Sequence, residues 1–291
     1  MYGKGIKKET QMKCKLFNTG LAGLLLAFSC YSNASIITTV SEILPPSNSV
    51  PGFTWYYSDM RAGGTASIAD LTGLGGDLEN NSPLGNDAVK LATTLANSDK
   101  AEIGMYGDFG LVSDIFNDSL SFSYDYYREN VVGGNTFAAP ALKLGFLNDN
   151  CTDDLDCYFQ LIYEPYLNAA LVDSAWTTIN IDLDLGAFWN TGGFGLVNGS
   201  GGCVPSGCLS LADTEIAANE YFSSASLVSI GLGVGSSNQG VTGYVDNVSV
   251  NVGNFSKTYD FEKVDVPEPS TLAIFALGMM GLASRRFKKQ S

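Results

Sequence analysis

The chain contains no histidine, and this absence limits the chemistry that its 291 residues could perform. Without an imidazole there can be no Ser-His-Asp or Cys-His catalytic arrangement and no histidine-ligated zinc. Hydrolysis would have to rest on carboxylates, which glycosidases use in pairs. Asp182 and Asp184 face the same side of a predicted strand, but no glutamate lies near them in the sequence to act as the acid. The sequence therefore favours a protein that is not an enzyme, with a carboxylate-dependent glycoside hydrolase as an alternative.

Aromatic residues offer a second kind of chemistry, because a pyranose packs its apolar C–H face on an aromatic ring and its hydroxyls on polar side chains. Aromatic segments at residues 55–57, 124–129 and 189–190 could build such a platform. Side chains alternate between the two faces of a strand, so half of these rings are expected in a core, as is Trp176. The candidate carbohydrate-binding residues are Trp55, Tyr57, Tyr126 and Trp189.

Four cysteines lie in the body of the chain, at Cys151, Cys157, Cys203 and Cys208. Three pairings are open, and their clustering favours Cys151 with Cys157 and Cys203 with Cys208. Each disulfide would close a small polar loop in an oxidising compartment. The spacings and the lack of histidine argue against a zinc site.

The elements that must position these residues are short strands separated by Gly, Asn, Asp and Ser. Several strands alternate apolar and polar residues, and only residues 212–222 have the pattern of a helix. This pattern predicts an all-β fold, an antiparallel β-sandwich of jelly-roll type, over residues 35–265. The predicted strands cover residues 53–57, 89–94, 120–126, 141–147, 158–163, 176–183, 227–234, 243–252 and 258–261.

Two of these strands resemble strands of jelly-roll carbohydrate-binding modules: residues 175–183, AWTTINIDL, and residues 243–250, GYVDNVSV. The aspartate of the second strand commonly helps to hold a structural calcium ion in those modules. The resemblance therefore implies Asp246 as a calcium ligand, and the alternative is an aspartate satisfied by backbone amides. An acidic run at residues 149–157 is also rich in oxygen ligands, but it lacks the glycine and the terminal glutamate of an EF-hand and favours a solvated loop.

The C-terminus has three elements in order: the segment Val266-Pro267-Glu268-Pro269-Ser270, an apolar run over residues 272–283, and a basic cluster. The prolines keep the first segment extended. The helix predicted after it has about 14 residues and reaches about 21 Å, short of a bilayer core of about 30 Å. By the positive-inside rule the basic cluster stays in the cytoplasm, so the body is exported. The cluster comprises Arg285, Arg286, Lys288 and Lys289.

This tail resembles a PEP-CTERM sorting domain, with Pro267, Glu268 and Pro269 as its tripeptide. In that family an exosortase, a membrane-embedded thiol protease, recognises the tripeptide region and removes the helix. The hosts are exopolysaccharide-making Gram-negative bacteria. The resemblance implies an exosortase-like partner and anchoring in the inner membrane until sorting. An ordinary C-terminal membrane anchor is the alternative.

The N-terminus independently predicts export. Lysines at residues 4–15, an apolar stretch over residues 16–29 and the A-x-A-like site Ser32-Asn33-Ala34 form a signal peptide, residues 1–34, with a signal helix. Translation could start at Met1 or at Met12. A lipoprotein modified at Cys30 is disfavoured by Phe28 beside it.

Charge excludes one class of partner. Residues 35–265 hold seven of the 16 basic residues and 28 of the 30 acidic residues, a net charge of −21. Nucleic-acid binding needs clustered Lys and Arg, and the body has no such cluster.

Together, the termini and the predicted sandwich lead us to expect an exported surface or exopolysaccharide-matrix protein of a biofilm. We expect this protein to be non-catalytic and its sandwich to bind carbohydrate. A structural matrix protein without a ligand is the first alternative, and calcium is the one cofactor expected.

Overall fold

The computed structural model describes residues 36–46, 52–116, 120–129, 133–149, 157–184, 186–192 and 220–263. Within these ranges the chain forms thirteen strands and four short helices. The strands are β1 (Ile36–Thr39), β2 (Trp55–Tyr57), β3 (Thr65–Asp70), β4 (Asp87–Ala92), β5 (Ala101–Tyr106), β6 (Leu120–Glu129), β7 (Ala141–Leu147), β8 (Tyr158–Tyr163), β9 (Trp176–Asp182), β10 (Phe188–Asn190), β11 (Ser226–Val234), β12 (Thr242–Val252) and β13 (Phe255–Asp260). The helices are α1 (Gly76–Asn80), α2 (Val112–Ile115), α3 (Pro165–Asn168) and α4 (Glu220–Ser223).

The strands form two sheets. In the seven-stranded sheet, β12 pairs on one edge with β6, which pairs with β9; on its other edge β12 pairs first with β4 and then with β13. The six-stranded sheet has the order β10-β8-β7-β11-β5-β2. The chain passes repeatedly from one sheet to the other, and the inner faces of both sheets contribute to one core. The predicted all-β sandwich of jelly-roll type is confirmed.

One strand pair departs from the antiparallel prediction. β1 pairs in parallel with β13, with Ile36 opposite Lys257 and Thr39 opposite Asp260. These strands are the first and last along the described chain, so no tight turn joins them. Without a hairpin connection nothing imposes the antiparallel direction.

The core lies between the sheets and is rich in aromatic rings. Trp55 of the six-stranded sheet meets Tyr259 of the seven-stranded sheet edge to face, with ring centroids 5.4 Å apart. The Tyr259 hydroxyl donates to the Met105 sulfur at 3.1 Å. Each fully buried side chain of this size contributes on the order of 2–3 kcal/mol of transfer free energy. The core therefore fixes how the sheets face each other and which residues remain outside.

A second apolar cluster lies on the outer face of the seven-stranded sheet, where α1 covers it. The Trp176 indole N–H donates to the Leu78 carbonyl at 3.1 Å, and its ring centroid lies 5.8 Å from that of Tyr127. Trp176 was expected in the main core, but it is half-buried in this outer cluster because its register opposite Tyr127 turns it outward. We call this group the outer apolar cluster; its buried members are Leu71, Leu78, Ala88, Tyr127 and Tyr244.

Several predicted segments lie outside the described residues. They are the signal peptide, the apolar run at residues 272–283 and most of the helix predicted at residues 212–222, of which α4 is the described end. In the described ranges, no helix is both long enough and apolar enough to span a membrane. The signal and anchor assignments therefore remain predictions.

Candidate functional site: the outer face of the six-stranded sheet

The outer face of the six-stranded sheet carries a strip of glycines. On β5 and β11, Gly104 lies opposite Gly231, and Gly145 of β7 lies opposite Ser229 of β11. Their strand neighbours, such as Ile103 and Leu144, point into the core, so these positions face outward. Glycine adds no side chain, and the sheet surface is therefore recessed here. We call these residues the glycine strip: Gly104, Gly145, Gly231 and Gly233.

Two stacked tyrosines border the strip on one side. The ring of Tyr56 on β2 lies 4.8 Å from that of Tyr106 on β5, at an interplanar angle of 22°. Tyr56 is buried, whereas Tyr106 is 50% exposed. Tyr106 therefore presents one exposed aromatic surface, and its ring is held in position by stacking on Tyr56.

A third tyrosine contacts the strip from the opposite side. Tyr158 of β8 covers Gly145, where a side chain would overlap the Tyr158 hydroxyl. That hydroxyl lies 3.1 Å from Ser229 Oγ and accepts a hydrogen bond from Gln160 Nε2 at 2.9 Å. The glycine is required because Tyr158 occupies the space above it. The result is a shallow depression lined by aromatic and hydrogen-bonding groups.

A chain of alternating charges crosses the same face. Arg61 contacts Asp59 at 2.9 Å, Asp59 contacts Lys100 at 2.6 Å, and Lys100 contacts Glu102 at 3.1 Å. Glu102 also pairs with Lys143, and both of these side chains are buried. Glu102 and Lys143 come from β5 and β7, which are separated by β11. We call these five residues the ion chain.

Glu102 is the central residue of the ion chain, and its carboxylate accepts hydrogen bonds from several donors. Besides both lysines, it accepts a hydrogen bond from Ser58 Oγ at 3.0 Å. Burial alone would raise the pKa of Glu102, but Lys143 and Lys100 outweigh that effect and hold it below its ordinary value. Burial lowers the pKa of Lys143, and Glu102 partly offsets the decrease. The hydrogen bond between Lys143 and Glu102 fixes both side chains.

At the far side of this face, Trp189 of β10 lies opposite Ile162 of β8. Glu164 follows β8 and precedes α3, and burial raises its pKa to about 7, against the opposing effects of Lys143 and of a hydrogen bond from Trp189. Of the four aromatic residues predicted to bind carbohydrate, Trp189 is the one that the structure places on this outer face beside polar groups.

The other three aromatic predictions meet the core. Trp55 and Tyr126 are each 1% exposed and belong to the main core, so neither can offer a ring to a sugar. Strand alternation explains the error, because both residues share a face with core-forming neighbours. Tyr57 is half-buried against the core and lines a separate depression with Asp59 and Met60.

The residues that the sequence analysis missed are the partners of those it named. Tyr56 lies between Trp55 and Tyr57, so placing Trp55 in the core would have placed Tyr56 outside. Tyr106 ends β5, a strand that was not predicted. No local signal could have joined Glu102 to Lys143, because the two residues are 41 positions apart.

Asp246 lies where β12 changes partners. The register of β12 shifts after Asp246, as its neighbour changes from β4 to β13. The Phe261 amide donates to Asp246 Oδ1 at 3.1 Å, while Oδ2 has no hydrogen-bond partner and the residue is 0% exposed. Burial raises the pKa of Asp246 to about 8, and nearby Asp260 acts in the same direction. Asp246 of β12 therefore holds the residue that follows β13 against the sheet.

The described residues do not by themselves form a metal cluster. Nowhere in the described ranges do three Asp, Glu, Cys or His residues converge closely enough to hold a metal ion. A calcium ion at Asp246 would need backbone or water oxygens as its remaining ligands, and it stays a prediction. Of the acidic run, residues 150–156 lie outside the described residues.

Cys157 is disulfide-bonded and precedes β8 directly. Cys151, Cys203 and Cys208 lie outside the described residues. The pairings of Cys151 with Cys157 and of Cys203 with Cys208 therefore remain predictions.

Solved structures to which this chain has a low similarity include a family 11 carbohydrate-binding module from Clostridium thermocellum in complex with a β-1,3-1,4-mixed-linked tetrasaccharide. The match has 16% sequence identity and a TM-score of 0.35, and it covers 72% of this chain and 93% of the module. An exo-β-agarase is 14% identical over 77% of this chain and 25% of that chain, with a TM-score of 0.37. A β-1,2-glucanase from Parabacteroides distasonis is 10% identical over 73% and 32%, with a TM-score of 0.31. At these values the function must be argued from the site itself.

No curated protein sequence matches the chain. The PEP-CTERM protein-sorting motif matches residues 265–289, which include Pro267, Glu268 and Pro269 and the basic cluster. A motif of this kind implies export and anchoring in a membrane before sorting. The chain thus combines an all-β sandwich with a PEP-CTERM sorting motif at its C-terminal end.

Proposed function

We propose that this protein is an exported, non-catalytic glycan-binding protein of the cell surface or exopolysaccharide matrix. The observation that carries the proposal is the half-exposed Tyr106 ring, stacked on buried Tyr56 beside the glycine strip. A rigid aromatic surface in a recess with convergent polar groups is what a pyranose requires, because one side of the sugar is apolar and its edge is polar.

The polar groups of this face are held in place before any ligand arrives. Glu102 fixes Lys143, and Ser229 and Gln160 fix the Tyr158 hydroxyl. Fixed side chains lose little conformational entropy on binding, which favours recognition.

The test is retention of the full-length chain, in mild detergent, on immobilised neutral and acidic polysaccharides. We expect the Tyr106→Ala variant to lose about tenfold or more in affinity, since loss of an aromatic contact of this size costs about 1.5 kcal/mol or more. Phe137→Ala is the matched control, because Phe137 is an exposed aromatic residue in the connection between β6 and β7 and not on a strand of this face. Absence of retention on every polysaccharide, or an unchanged Tyr106→Ala variant, would contradict the proposal and favour a structural protein without a ligand.

Sorting forms the second part of the proposal. We expect an exosortase-like protease to process the tail after Sec export in a Gram-negative host, as the motif at residues 265–289 implies. The measurement is the intact mass of the protein from host cells with and without the protease. Loss of the tail only in cells that have the protease supports the assignment, and a tail that persists in both strains indicates a plain anchor.

Glycoside hydrolysis is less compatible with the geometry. Among the described residues, Glu102 and Glu164 are the buried carboxyl groups of this face. In a glycosidase, one of the two carboxyl groups must donate a proton to the leaving group, while the other attacks the sugar or activates a water molecule. Glu102 already accepts hydrogen bonds from three donors, so it is not available for either role. Binding is therefore favoured over hydrolysis.

A further inference from the structure

Three side chains that could contact a ligand, those of Lys143, Glu164 and Trp189, surround Ile162 on the outer face of the six-stranded sheet. Lys143 of β7 and Trp189 of β10 lie directly opposite Ile162 on its two sides. Glu164 follows two residues later, so it faces the same side and is diagonal to both. Diagonal neighbours of this kind have Cβ atoms about 7–8 Å apart. One small polar molecule can therefore touch all three.

Glu164 lacks a donor. It is 7% exposed, and its Oε2 has no hydrogen-bond partner. An interaction with the side chain of Trp189 acts on the pKa of this carboxyl group, and Oε2 is the oxygen without a hydrogen-bond partner. Buried polar atoms in native proteins are nearly always paired, so Glu164 Oε2 is a position where a ligand can supply the missing donor.

Lys143 lacks acceptors. An ammonium group has three N–H donors. Among the described residues, the hydrogen-bond partner of Lys143 is Glu102, which leaves two N–H groups free to bind oxygen atoms of a ligand.

The charges around Lys143 do not favour an anion. The carboxyl groups of Glu102 and Glu164 and the ammonium group of Lys100 all act on Lys143, so opposite local charges largely offset each other, while the body carries a net charge of −21. A negatively charged ligand would therefore meet the repulsion of the body without a compensating local excess of positive charge. A neutral sugar avoids this repulsion, because each of its hydroxyls can donate a proton to one group and accept a proton from another.

We propose that Lys143, Glu164 and Trp189 form a subsite for one neutral sugar unit, whose adjacent hydroxyls accept from Lys143 and donate to Glu164 while its ring packs on Trp189. This inference rests on the proposed function and specifies which ligands the face selects. It differs from the Tyr106 contact, which lies on the opposite side of the glycine strip.

The test compares binding of the full-length chain to neutral polysaccharides (β-1,3-glucan, β-1,4-glucan, mannan and xylan) and to acidic ones (alginate and polygalacturonate, with carboxyl-reduced polygalacturonate as the matched neutral form). We expect tighter binding to at least one neutral polysaccharide than to any acidic one, and no gain for polygalacturonate over its reduced form. Glu164→Leu and Lys143→Met should each weaken that binding about tenfold or more, because each removes a hydrogen bond to a charged group. Glu164→Gln should retain most of the affinity, since its amide oxygen can still accept.

Two controls separate the possible failures. Lys90→Met removes a lysine from the other sheet, where Lys90 lies over the Tyr244 ring, and should leave binding unchanged. Thermal unfolding of each variant identifies any loss caused by misfolding, and Glu164→Leu tests the subsite even if Lys143→Met is unstable. Tighter binding of acidic polysaccharides, or unchanged binding of a folded Glu164→Leu variant while Tyr106→Ala abolishes it, would overturn the subsite but leave the proposed function intact. If no polysaccharide binds, both proposals are wrong.

Discussion

The two outer faces of the sandwich are built from strands with the same alternation but are completed in different ways. On the seven-stranded sheet, α1 places Leu78 over Tyr127 and Tyr244, and the indole of Trp176 is hydrogen-bonded to α1. On the six-stranded sheet, the corresponding surface is a glycine strip bordered by a half-exposed tyrosine and crossed by the ion chain. The first face is filled by the protein itself.

This difference separates aromatic residues that stabilise the fold from those available to a ligand. Tyr127 and Tyr244 have ring centroids 6.0 Å apart and are buried under the protein's own helix. Tyr106 has a buried ring behind it and an open side in front. Both faces contain tyrosine pairs, so the presence of aromatic residues alone does not identify the binding face. The binding face is the one whose tyrosine pair is not covered by the protein's own helix.

The largest expected effect is on the open face. Glu102→Leu would leave buried Lys143 without its hydrogen-bonded partner, and we expect a loss of about 3–5 kcal/mol in the free energy of unfolding. Denaturant titration measures this loss. Asp59→Asn, at the more exposed end of the ion chain, is the control and should cost less than about 1 kcal/mol. Equal effects of the two variants would show that the buried pair does not hold this face together.

A smaller effect is expected on the covered face. Leu78→Ala should lower the free energy of unfolding by about 2–3 kcal/mol because it opens a cavity in the outer apolar cluster. Its control is Leu74→Ala, which removes an exposed leucine and should cost less than about 0.5 kcal/mol. Glycan retention should be unchanged in both variants. Loss of retention in a folded Leu78→Ala variant would mean that the covered face takes part in binding.

Asp246 provides a third test, because this buried carboxyl group is expected to affect stability and not glycan binding. Its pKa of about 8 in the folded protein lies above its value of about 3.9 in the unfolded chain. The native state therefore keeps a proton that the unfolded state releases, and this contribution to stability is complete below about pH 4 and is lost as the pH rises towards 8. In chelator, Asp246→Asn should be more stable relative to the parent at pH 8 than at pH 4, by about 1–3 kcal/mol.

Calcium extends this prediction. If calcium binds through ionised Asp246, adding it at pH 8 should stabilise the parent protein and not Asp246→Asn, as measured by thermal unfolding. An equal response of both proteins, or none, would contradict a calcium site at this residue. A pH dependence that is the same in both proteins would contradict the buried, protonated carboxyl.

Sequence patterns predicted the strands whose alternation is strong. β7 and β8 match their predicted ranges, because Leu, Phe, Ile and Tyr alternate clearly with polar residues or glycine. β3 and β5 were missed, since Ala, Gly and Thr weaken their apolar pattern, and β1 and β10 are short. β5 nevertheless alternates Ala101, Ile103 and Met105 into the core, so its period was readable.

The candidate site was less predictable because it depends on pairing between distant strands. Trp189 was predicted as a ligand residue without any indication of its neighbours, and its position beside Ile162 follows from the register of β10 on β8. Lys143 meets Glu102 only because glycines on β11 let the side chains cross that strand. Residue types suggested sugar binding, whereas sheet order decided which aromatic residues face outward.

Binding at the outer face of the six-stranded sheet is tested most directly by a chemical-shift titration of the isotope-labelled protein with an oligosaccharide of whichever polysaccharide it retains. We expect amide shifts to concentrate on this face, at Gly104, Gly145 and Gly231 and around Tyr106, with Tyr127 and Tyr244 unaffected. Shifts centred on the outer apolar cluster, or saturable binding without shifts on the glycine strip, would contradict this expectation.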